Sequence, residues 1–504
     1  MSDTLREERL QKLQSLRERG IDPFAETRYE RSTDVAAIHT QFAHLEPGEE
    51  TDHHVKIAGR VVGRRVMGGL SFLDVLDERA QIQLFAAKNA LSEDLYGHFT
   101  EIEIGDIVGA SGTVFRTKRG ELSVRVDGVT LLAKALRPLP EKWHGLKNVE
   151  ARYRRRYLDL IANPEVREVF RTRSQMIRAM RDFLDDNGFL EVETPELQPL
   201  YGGAFARPFT TYHNELEQEL YLRISDELYL KRLIIGGFDK VYEIGRDFRN
   251  EGVSAKHNPE FTMMECYRAY ADYDDMMALT EQMIFHIAQQ LGKTTLEYQG
   301  QEIDLTPPWP RISLHDVIHE KTGILLPECK TPEQLMRQIA TQGLHVDEKP
   351  TWGGLVDEIL SEYVEPDLIQ PTFLMDYPKE ISPLAKQKSD DPKLVERFEL
   401  FIIGREMGNA FTELNDPVEQ HDRFRGQIMQ RQQGDEEAQQ LDEDFIEAME
   451  HGMPPTGGLG IGVDRLAMLF TDSPSIRDVI LFPALRRQTD RSTEAIEEPS
   501  DDDE

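Results

Sequence analysis

The chain has 504 residues, of which 39% are hydrophobic and 30% charged, a composition that predicts a globular protein with two or three domains. With no apolar run of about 18 residues, no apolar signal region and two cysteines without metal-binding spacing, we expect no membrane span, no secretion and a reducing cytoplasm. The formal net charge of −33 argues against nucleic-acid binding unless lysine and arginine cluster locally.

Residues 1–50 are predicted to form a helix and a lead-in to the first domain. Within this stretch Leu10, Leu13 and Leu16 recur at helical spacing, and Gly20, followed shortly by a proline, provides a stop. We therefore expect one amphipathic helix over residues 3–20.

Residues 51–140 have the pattern of an all-β module. The β-rich runs VKIAGRVVG, LSFLDVL, AQIQLF and ELSVRVDGVTLL are separated by turns rich in glycine, aspartate and lysine. About five such strands are expected, which is the size of an OB-fold.

One hairpin of this module is predicted to present a base-binding face. A turn at Asp77–Ala80 joins LSFLDVL to QIQLF, and cross-strand pairing then places on one face Phe72, Asp74, Gln83 and Phe85. Single-stranded bases are recognised by aromatic stacking and by hydrogen bonds to their edges. Phe72 would stack on a base and Gln83 would bond its edge, while Arg64 or Arg65 contacts the backbone. The alternative is an ordinary packed hairpin.

A link around RPLPEKWHG and a predicted hinge at 141–155 lead into a larger mixed domain at 156–486. Helical patterns such as VREVFRTRSQMIRAMRDFLDDNG alternate there with strand patterns such as KVYEIGRDFR, FTMMECYRAYA and RFELFIIG. The helical stretch at about 310–370 is interpreted as an insertion. Residues 487–504 end in EEPSDDDE and are predicted to form an acidic, disordered tail.

Two familiar nucleotide-binding motifs can be set aside. The GKT at 292–294 resembles the end of a P-loop, but the first glycine of that loop would fall at Ile287, so Gly292 is expected to end a helix. The run GGLGIGVD at 457–464 hints at a GxGxxG motif, but Arg465 occupies the third glycine position and no βαβ unit follows.

Carboxylates stand between apolar and aromatic residues on two predicted strands. In PEFTMMECYRAY, strand alternation places on one face Phe261, Met263, Glu265 and Tyr267. In GREMGNAFTELND it places on one face Asn409, Phe411 and Glu413. The alternative for Glu265 is a structural ion pair, and for each other glutamate it is simple exposure to solvent.

Glu399 and Glu406 lie seven residues apart around the apolar strand FELFIIG. Carboxylates in such a place suit Mg²⁺, which takes oxygen ligands and binds through one or two carboxylates together with phosphates. Downstream, GGLGIGVDRLAMLF is a glycine-rich strand that leads into a helix with Arg465 in its first turn. Glycines permit the close approach of a ligand and arginine suits phosphate, so this segment favours phosphate binding.

Three segments, in this order, resemble the signature motifs of class II aminoacyl-tRNA synthetases. GFLEVETPEL at 188–197 resembles motif 1, GRDFRNEG with HNPEF at 245–261 resembles motif 2, and GLGIGVDRLAML at 458–469 resembles motif 3. Behind an OB-like module, this set is specific for the aspartyl, asparaginyl and lysyl subclass. Four further segments are similar to the bacterial lysyl-tRNA synthetases, and the resemblance covers nearly the whole chain: 201–214, 221–233, 258–273 and 458–483.

The resemblance implies an α+β protein in which an N-terminal OB-fold binds the anticodon and an antiparallel sheet flanked by helices forms the catalytic domain. It implies a cytoplasmic homodimer with motif 1, and hence Pro195, at the interface. The implied activity joins ATP and L-lysine into lysyl-adenylate with release of pyrophosphate, and then transfers lysine to tRNA(Lys). Phe72 and Gln83 would accordingly bind a uridine of the anticodon.

The resemblance also implies a role for individual residues. Arg249 bridges the α-phosphate and the amino-acid carboxylate, and Arg465 clamps the terminal phosphate beside the close backbone of Gly460. Glu399 and Glu406 carry Mg²⁺. ATP is further held by Glu251, His257 and Phe261, with Phe261 stacked on adenine. The amino acid is contacted at its α-amino group by Gly203 and Glu227, at its carboxylate by Asn409, and around its side chain by Glu265, Tyr267, Phe411 and Glu413.

Three alternatives stay open at this point. An aspartyl or asparaginyl enzyme would need a cation or an amide in the side-chain pocket, whereas Glu265 and Glu413 would repel aspartate. A paralogue that modifies a protein is expected to lack the OB module. A non-catalytic tRNA-binding or regulatory protein would not need carboxylates for Mg²⁺.

Overall fold

The computed structural model describes residues 2–140, 146–349, 351–432 and 441–487. The chain divides into two compact units, Met1–Lys147 and Asn148–Glu504. The predicted acidic tail from residue 488 onward, and residues 141–145 of the predicted hinge, lie outside the described residues. Among the described helices, none is long and apolar enough to cross a membrane.

The first unit is built around a closed barrel of five strands in the order β1-β2-β3-β5-β4. These are β1 (Glu50–Met67), β2 (Leu70–Leu76), β3 (Gln81–Ala87), β4 (Ile107–Arg116) and β5 (Leu122–Ala133). β3 and β5 pair in parallel, and the other neighbouring pairs are antiparallel. Alternate residues fill the interior, among them Val55, Ile57, Leu73, Leu84 and Val124. The predicted OB-fold is confirmed.

Among the described residues of this unit, three helices flank the barrel: α1 (Ser2–Glu18), α2 (Val35–Gln41) and α3 (Glu93–Glu101). As the leucine spacing predicts, α1 buries Leu13 and Leu16, and Gly20 follows it with a φ of 79°. The sequence pattern does not single out α3 or β4. In β4 the small residues of the segment GASG interrupt the alternation of large apolar and polar side chains, so the strand signal is weak.

The β2–β3 hairpin has the predicted register. Leu76 lies opposite Gln81, Asp74 lies opposite Gln83, and Phe72 lies opposite Phe85. The turn at Asp77–Ala80 closes through a hydrogen bond from the Asp77 backbone N–H to the Ala80 oxygen, 3.0 Å long.

The second unit contains an eight-stranded sheet in the order β14-β15-β16-β17-β18-β11-β10-β6. Its strands are β6 (Leu190–Glu191), β10 (Lys240–Phe248), β11 (Glu260–Ala269), β14 (Arg311–Ser313), β15 (Thr372–Met375), β16 (Arg397–Ile402), β17 (Arg405–Thr412) and β18 (Thr456–Gly462). The expectation of an antiparallel sheet is correct for the six central strands and wrong at both edges, where β14 and β6 run parallel to their neighbours. A parallel neighbour needs a long crossover, and the chain makes one between each of these pairs.

Smaller strands complete this unit: β7 (Leu197–Gln198), β8 (Thr210–His213) and β9 (Gln218–Leu222) form one sheet, and β12 (Thr295–Tyr298) pairs with β13 (Gln301–Asp304). The helices are α4 (Val149–Arg154), α5 (Arg156–Ala162), α6 (Glu165–Asp186), α7 (Glu227–Ile235), α8 (Tyr273–Leu291), α9 (Leu314–Thr322), α10 (Pro332–Thr341), α11 (Trp352–Tyr363), α12 (Pro417–Gln432), α13 (Glu443–Glu450), α14 (Val463–Phe470) and α15 (Ile476–Val479). Thus the stretch at 310–370 contributes the edge strand β14 as well as three helices.

The main core of the second unit lies where α6, α8 and α14 pack together and against the sheet. Fully buried side chains there include Met180, Leu184, Met276, Ile284 and Leu466. Gly292 ends α8 with a φ of 65°, as expected for a glycine at a helix C-terminus and not for part of a P-loop.

Candidate active site

Two rows of residues cross the sheet of the second unit on one face. The first row, from β11 across β18 and β17 to β16, is Glu265, Gly460, Asn409 and Glu399. The second row, in the same order of strands, is Tyr267, Gly458, Phe411 and Arg397. Strand alternation alone predicts which residues of one strand share a face. The register between the strands shows that the faces predicted for β11 and β17 lie close together on the same side of the sheet.

A glycine stands within each row, and the one at position 458 is required by its neighbours. A Cβ atom there would lie 2.0 Å from Oε1 of Glu413 and 2.6 Å from the ring of Tyr267. A larger residue at position 458 would therefore displace both side chains.

The rows form part of the wall of a cavity of about 1650 Å³. This exceeds the roughly 300–1,000 Å³ of an ordinary small-molecule pocket, so there is room for more than one substrate. The cavity is lined by all fifteen residues that the sequence analysis assigned to amino acid, ATP or metal: Gly203, Glu227, Arg249, Glu251, His257, Phe261, Glu265, Tyr267, Glu399, Glu406, Asn409, Phe411, Glu413, Gly460 and Arg465.

Glu265 is a buried carboxylate held by two hydroxyl groups. Ser225 Oγ donates to its Oε1 at 3.0 Å, and the Tyr267 hydroxyl donates to its Oε2 at 3.1 Å. Burial raises the pKa of Glu265 to about 8, and the nearby carboxylates of Asp247 and Glu227 act in the same direction. A positive charge that entered beside Glu265 would favour its ionised form and lower this pKa, because an opposite charge nearby stabilises a carboxylate.

Glu227 at the start of α7 and Glu413 just after β17 face each other across one buried lysine. Lys231 Nζ, on α7, forms ion pairs with both carboxylates and lies 5.5 Å from the centroid of the Phe411 ring. All three charged side chains are almost completely buried. Burial raises the pKa of Glu413 well above its usual value, although Lys231 acts in the opposite direction.

The predicted phosphate-binding end of the cavity carries two arginines. The Arg249 guanidinium lies 5.1 Å from the centroid of the Phe261 ring. Arg465, in the first turn of α14, donates from Nη1 to the backbone oxygen of Glu406. Burial, followed by the charge of Arg465, lowers the pKa of His257, so its imidazole is neutral at pH 7.

Glu399 and Glu406 both line the same cavity, and a divalent cation such as Mg²⁺ takes carboxylate oxygens as ligands. Burial raises the pKa of Glu399 to about 7. The Glu406 carboxylate also raises this pKa, whereas Arg397 lowers it. For Glu406 burial also acts upward and is the largest cause, but Arg465, Arg397 and Arg249 together outweigh it and the pKa is lowered. Two carboxylates that repel each other and line the same cavity fit Mg²⁺ chemistry.

A second charged cluster lies next to Glu265. The Arg223 guanidinium contacts Glu243 at 2.6 Å, Asp226 at 2.9 Å and Asp247 at 3.3 Å. Burial raises the pKa of Asp226 to about 10 and that of Asp247 to about 6, and each is affected by the charges around it. The cluster therefore retains a proton at neutral pH.

Several residues of the site were missed by the sequence analysis. Arg397 donates to Asn409 Oδ1 at 3.1 Å and to Glu399 Oε1 at 2.6 Å, and so links these two predicted site residues. Strand alternation places Arg397 on the same face as Glu399, but its contact with Asn409 depends on the neighbouring strand. Lys231 had one, because it follows Glu227 by four residues, the spacing at which helical side chains meet.

In the barrel, Phe72 belongs to an aromatic row. Its ring centroid lies 5.4 Å from that of Phe85, which in turn lies 5.7 Å from that of Phe115. Arg65 lies over Phe72 with its guanidinium carbon 5.8 Å from the ring centroid, whereas Arg64 donates to the Thr100 oxygen at 2.6 Å.

Gln83 is less accessible than the predicted edge contact requires. Its side chain is only 7% exposed, and its Oε1 accepts a hydrogen bond from Ser123 Oγ at 3.1 Å. A base could therefore reach only the part of the amide that remains at the surface.

Comparison with known families agrees with this geometry. Residues 148–486 match the family model of class II tRNA synthetases (D, K and N), and residues 55–132 match that of the OB-fold nucleic acid binding domain. The chain is similar to a lysine–tRNA ligase of Pelotomaculum thermopropionicum, with 55% identity over 481 residues, or 95% of this chain and 94% of that protein.

Other curated relatives agree. A lysine–tRNA ligase of Roseiflexus castenholzii is 56% identical over 96% of this chain and 98% of its own length. One of Bacillus cereus is 53% identical over 96% of this chain and 97% of its own length. The match to the catalytic family covers well over half of the sequence, so the chain belongs to the class II tRNA synthetases of the D, K and N group.

Proposed function

We propose that this protein is a lysine–tRNA ligase, which activates L-lysine with ATP to lysyl-adenylate and pyrophosphate and then transfers lysine to tRNA(Lys). The observation that carries the proposal is the buried carboxylate set Glu227, Glu265 and Glu413, next to the Tyr267 and Phe411 rings, in a cavity that also presents the predicted phosphate ligands. The names of the curated relatives support it.

The amino-acid end selects a substrate with two ammonium groups. Gly203 and Glu227 contact the α-amino group, and Glu265 and Glu413 stabilise the ε-ammonium between the Tyr267 and Phe411 rings. An ammonium buried among aromatic rings needs a paired carboxylate, and the ring faces add cation–π attraction. Aspartate would be repelled by the same carboxylates.

Activation needs positioning and charge neutralisation more than a nucleophilic side chain. Arg249 holds the lysine carboxylate next to the α-phosphate, with Asn409 on the same carboxylate, so that one carboxylate oxygen attacks phosphorus opposite the pyrophosphate leaving group. Glu251, His257 and Phe261 fix the nucleotide, and Arg465 with the backbone at Gly460 holds the terminal phosphate. Glu399 and Glu406 would hold Mg²⁺, which when bound neutralises phosphate charge.

Residues 51–140 are assigned to anticodon binding, 156–486 to catalysis and 141–155 to the hinge between them. Phe72 stacks on a uridine, Gln83 contributes an edge contact, and Arg64 or Arg65 contacts the tRNA backbone.

Two further features support the proposed homodimer and the proposed cytoplasmic location. Pro195 is exposed beside the exposed apolar residue Leu197, as a homodimer interface at motif 1 would require, and both cysteines are free, as in a reducing cytoplasm.

The deciding experiment is ATP–pyrophosphate exchange against a panel of all twenty amino acids plus ornithine, followed by charging of total tRNA with the amino acid that responds. Lysine alone is expected to support rapid exchange, and lysine tRNA alone is expected to be charged. Exchange with aspartate or asparagine would favour another member of the subclass. Absence of exchange with every amino acid, in protein shown by calorimetry to bind ATP, would favour a non-catalytic tRNA-binding protein.

A further inference from the structure

Lys231 has no role in the activation chemistry proposed above, although it joins the two ends of the proposed amino-acid pocket. Its ammonium forms ion pairs with Glu227, assigned to the α-amino group, and with Glu413, assigned to the ε-ammonium. Its side chain is 0% exposed. The two carboxylates line the cavity, so Lys231 contacts the binding groups from behind.

Burying a lysine ammonium is costly unless carboxylates surround it, and a replacement of the whole group by apolar side chains often costs nothing. A buried lysine at this place is therefore better explained by its effect on the neighbouring carboxylates than by stability. Glu413 contacts Lys231 through Oε2, whereas its Oε1 lies on the side of Gly458, at the cavity wall. The fixed ammonium thus orients Glu413 with one oxygen toward the substrate.

In the triad of Glu227, Lys231 and Glu413 the charges are unequal. Together with Glu265, the two glutamates carry three negative charges when ionised, and Lys231 carries one positive charge. The pocket therefore lacks two positive charges before a substrate is bound, and the α- and ε-ammonium groups of lysine supply them.

We propose that Lys231 is a positioning residue for amino-acid selection, whose ammonium orients Glu227 and Glu413 and offsets one of the three negative charges of the pocket, so that the two ammonium groups of the substrate balance the other two. This inference rests on the proposed function, because it takes the substrate to be lysine. Lys231 reaches the substrate only through the two carboxylates.

Other charged groups around the triad bear on its response to pH. Glu265 and the Tyr267 hydroxyl, both on β11, face Glu413 and Glu227, and Arg397 on β16 acts on Glu227. Arg397 is thus a second cation that acts on Glu227, and it lies on β16 whereas Lys231 lies on α7. Without Lys231 the pKa of one or both carboxylates rises further, and lysine must displace a proton to bind at neutral pH.

The test compares Lys231→Met, which keeps the length and shape of the side chain, with the wild type in ATP–pyrophosphate exchange between pH 6.5 and 9.5. The KM for lysine at pH 7 is expected to rise at least tenfold, while the KM for ATP changes less than twofold. The pH at which kcat/KM for lysine is half-maximal is expected to move upward by about one unit. The preference for lysine over ornithine is expected to fall, because the Glu413 carboxylate is no longer held in position by the Lys231 ammonium.

The control is Arg232→Met, which removes the neighbouring cation on α7, where Arg232 pairs with Asp442 and Asp444. It is expected to leave the lysine KM and the pH profile unchanged. Lys231→Gln, which retains one donor, replaces the methionine variant if that variant does not fold. A parallel loss of lysine and ATP kinetics with an unchanged pH profile, or failure of both variants to fold, would make Lys231 structural and overturn the proposal. An inactive wild type would instead count against the lysine–tRNA ligase assignment.

Discussion

Arg465 Nη1 donates to the backbone oxygen of Glu406 at 2.6 Å and lies 3.1 Å from Oε2 of the same residue. The guanidinium proposed to clamp the terminal phosphate of ATP is thus already held against a carboxylate proposed to bind Mg²⁺. When the phosphates bind together with a metal ion, Arg465 exchanges the Glu406 carboxylate for a phosphate, and Glu406 exchanges Arg465 for the metal ion. Each new partner has the opposite charge and binds more strongly. The two side chains are therefore oriented before the substrate arrives.

The first prediction concerns this pair. Glu406→Ala is expected to reduce ATP–pyrophosphate exchange by at least a hundredfold at ordinary Mg²⁺ concentration, because the variant loses a metal ligand and one partner of Arg465. Glu396→Ala, just before the start of β16, removes a carboxylate not placed in the site and is expected to retain exchange. Circular dichroism should show that both variants are folded. Exchange at the wild-type rate in the Glu406 variant would show that the metal assignment is wrong.

The second prediction concerns the ε-ammonium. Glu413→Gln is expected to cost roughly 2–5 kcal/mol in transition-state binding of lysine, as for a broken buried charge pair. Ornithine is one methylene shorter than lysine, and its transition-state binding to the wild-type protein is expected to be about 1–3 kcal/mol weaker. Both are measured as kcat/KM in the exchange assay, with the KM for ATP as internal control. Equal activation of lysine and aspartate by the wild type would end this interpretation of the pocket.

The third prediction follows from the raised pKa of Asp226. The folded-state pKa is about 10 against 3.8 for the ordinary group, so the folded protein holds a proton that the unfolded chain releases. This contribution to stability is fully present below the ordinary pKa and is lost as pH rises toward about 10, with a slope of at most about 1.4 kcal/mol per pH unit. Wild-type stability should therefore fall with rising pH across that window more steeply than that of Asp226→Asn.

The measurement is the urea midpoint by tryptophan fluorescence at pH 5, 7 and 9. The difference in midpoint, variant minus wild type, is expected to grow with pH, because asparagine stays neutral throughout. Glu302→Gln, at an exposed position, controls for the simple loss of a carboxylate. A difference that stays constant over the three pH values would mean that Asp226 is ionised in the folded protein.

The fourth prediction separates anticodon binding from catalysis. Phe72→Ala is expected to cost about 1–3 kcal/mol in tRNA charging, the usual value of a base stacked on an aromatic ring, and to leave amino-acid activation unchanged. The Phe85 ring beneath it is expected to retain part of the effect. Charging and pyrophosphate exchange are measured on the same preparation. If both fell equally, Phe72 would be part of the packing of the barrel and not of a binding face.

Much of the site could be predicted from the sequence because its residues follow strand alternation or belong to known motifs. The residues near Glu265 share a face because they alternate along one strand, and the same holds for the residues near Glu413. The register of the β2–β3 hairpin followed from the position of its turn. The rest depends on distant pairing. Arg397 and Glu399 share a face of β16, but the contact of Arg397 with Asn409 depends on the register between β16 and β17, which nothing local indicates. The parallel edge strands were missed for the same reason.

The composition leads to the last prediction, on salt. Acidic residues number 92 against 59 basic ones, and only 18 of the basic residues are lysines. At least seven of those lysines are in ion pairs, so they add little free positive charge to the surface: Lys12, Lys134, Lys231, Lys321, Lys349, Lys379 and Lys388. The predicted phosphate-binding arginines are nevertheless present. An acidic, lysine-poor surface around a retained basic site is what a protein adapted to concentrated salt would have.

Self-repulsion at a net charge of −33 destabilises the compact state, and salt relieves it, since the screening length falls to about 3 Å at 1 M. The melting temperature is therefore expected to rise between 0.1 and 2 M KCl, a salt chosen to limit general salting-out. Salt also weakens phosphate contacts steeply, so tRNA binding that survives at 2 M KCl must depend on stacking, and Phe72→Ala should weaken it more there than at 0.1 M. A melting temperature that stays flat or falls over this range would mean that the chain is merely acidic and not adapted to salt.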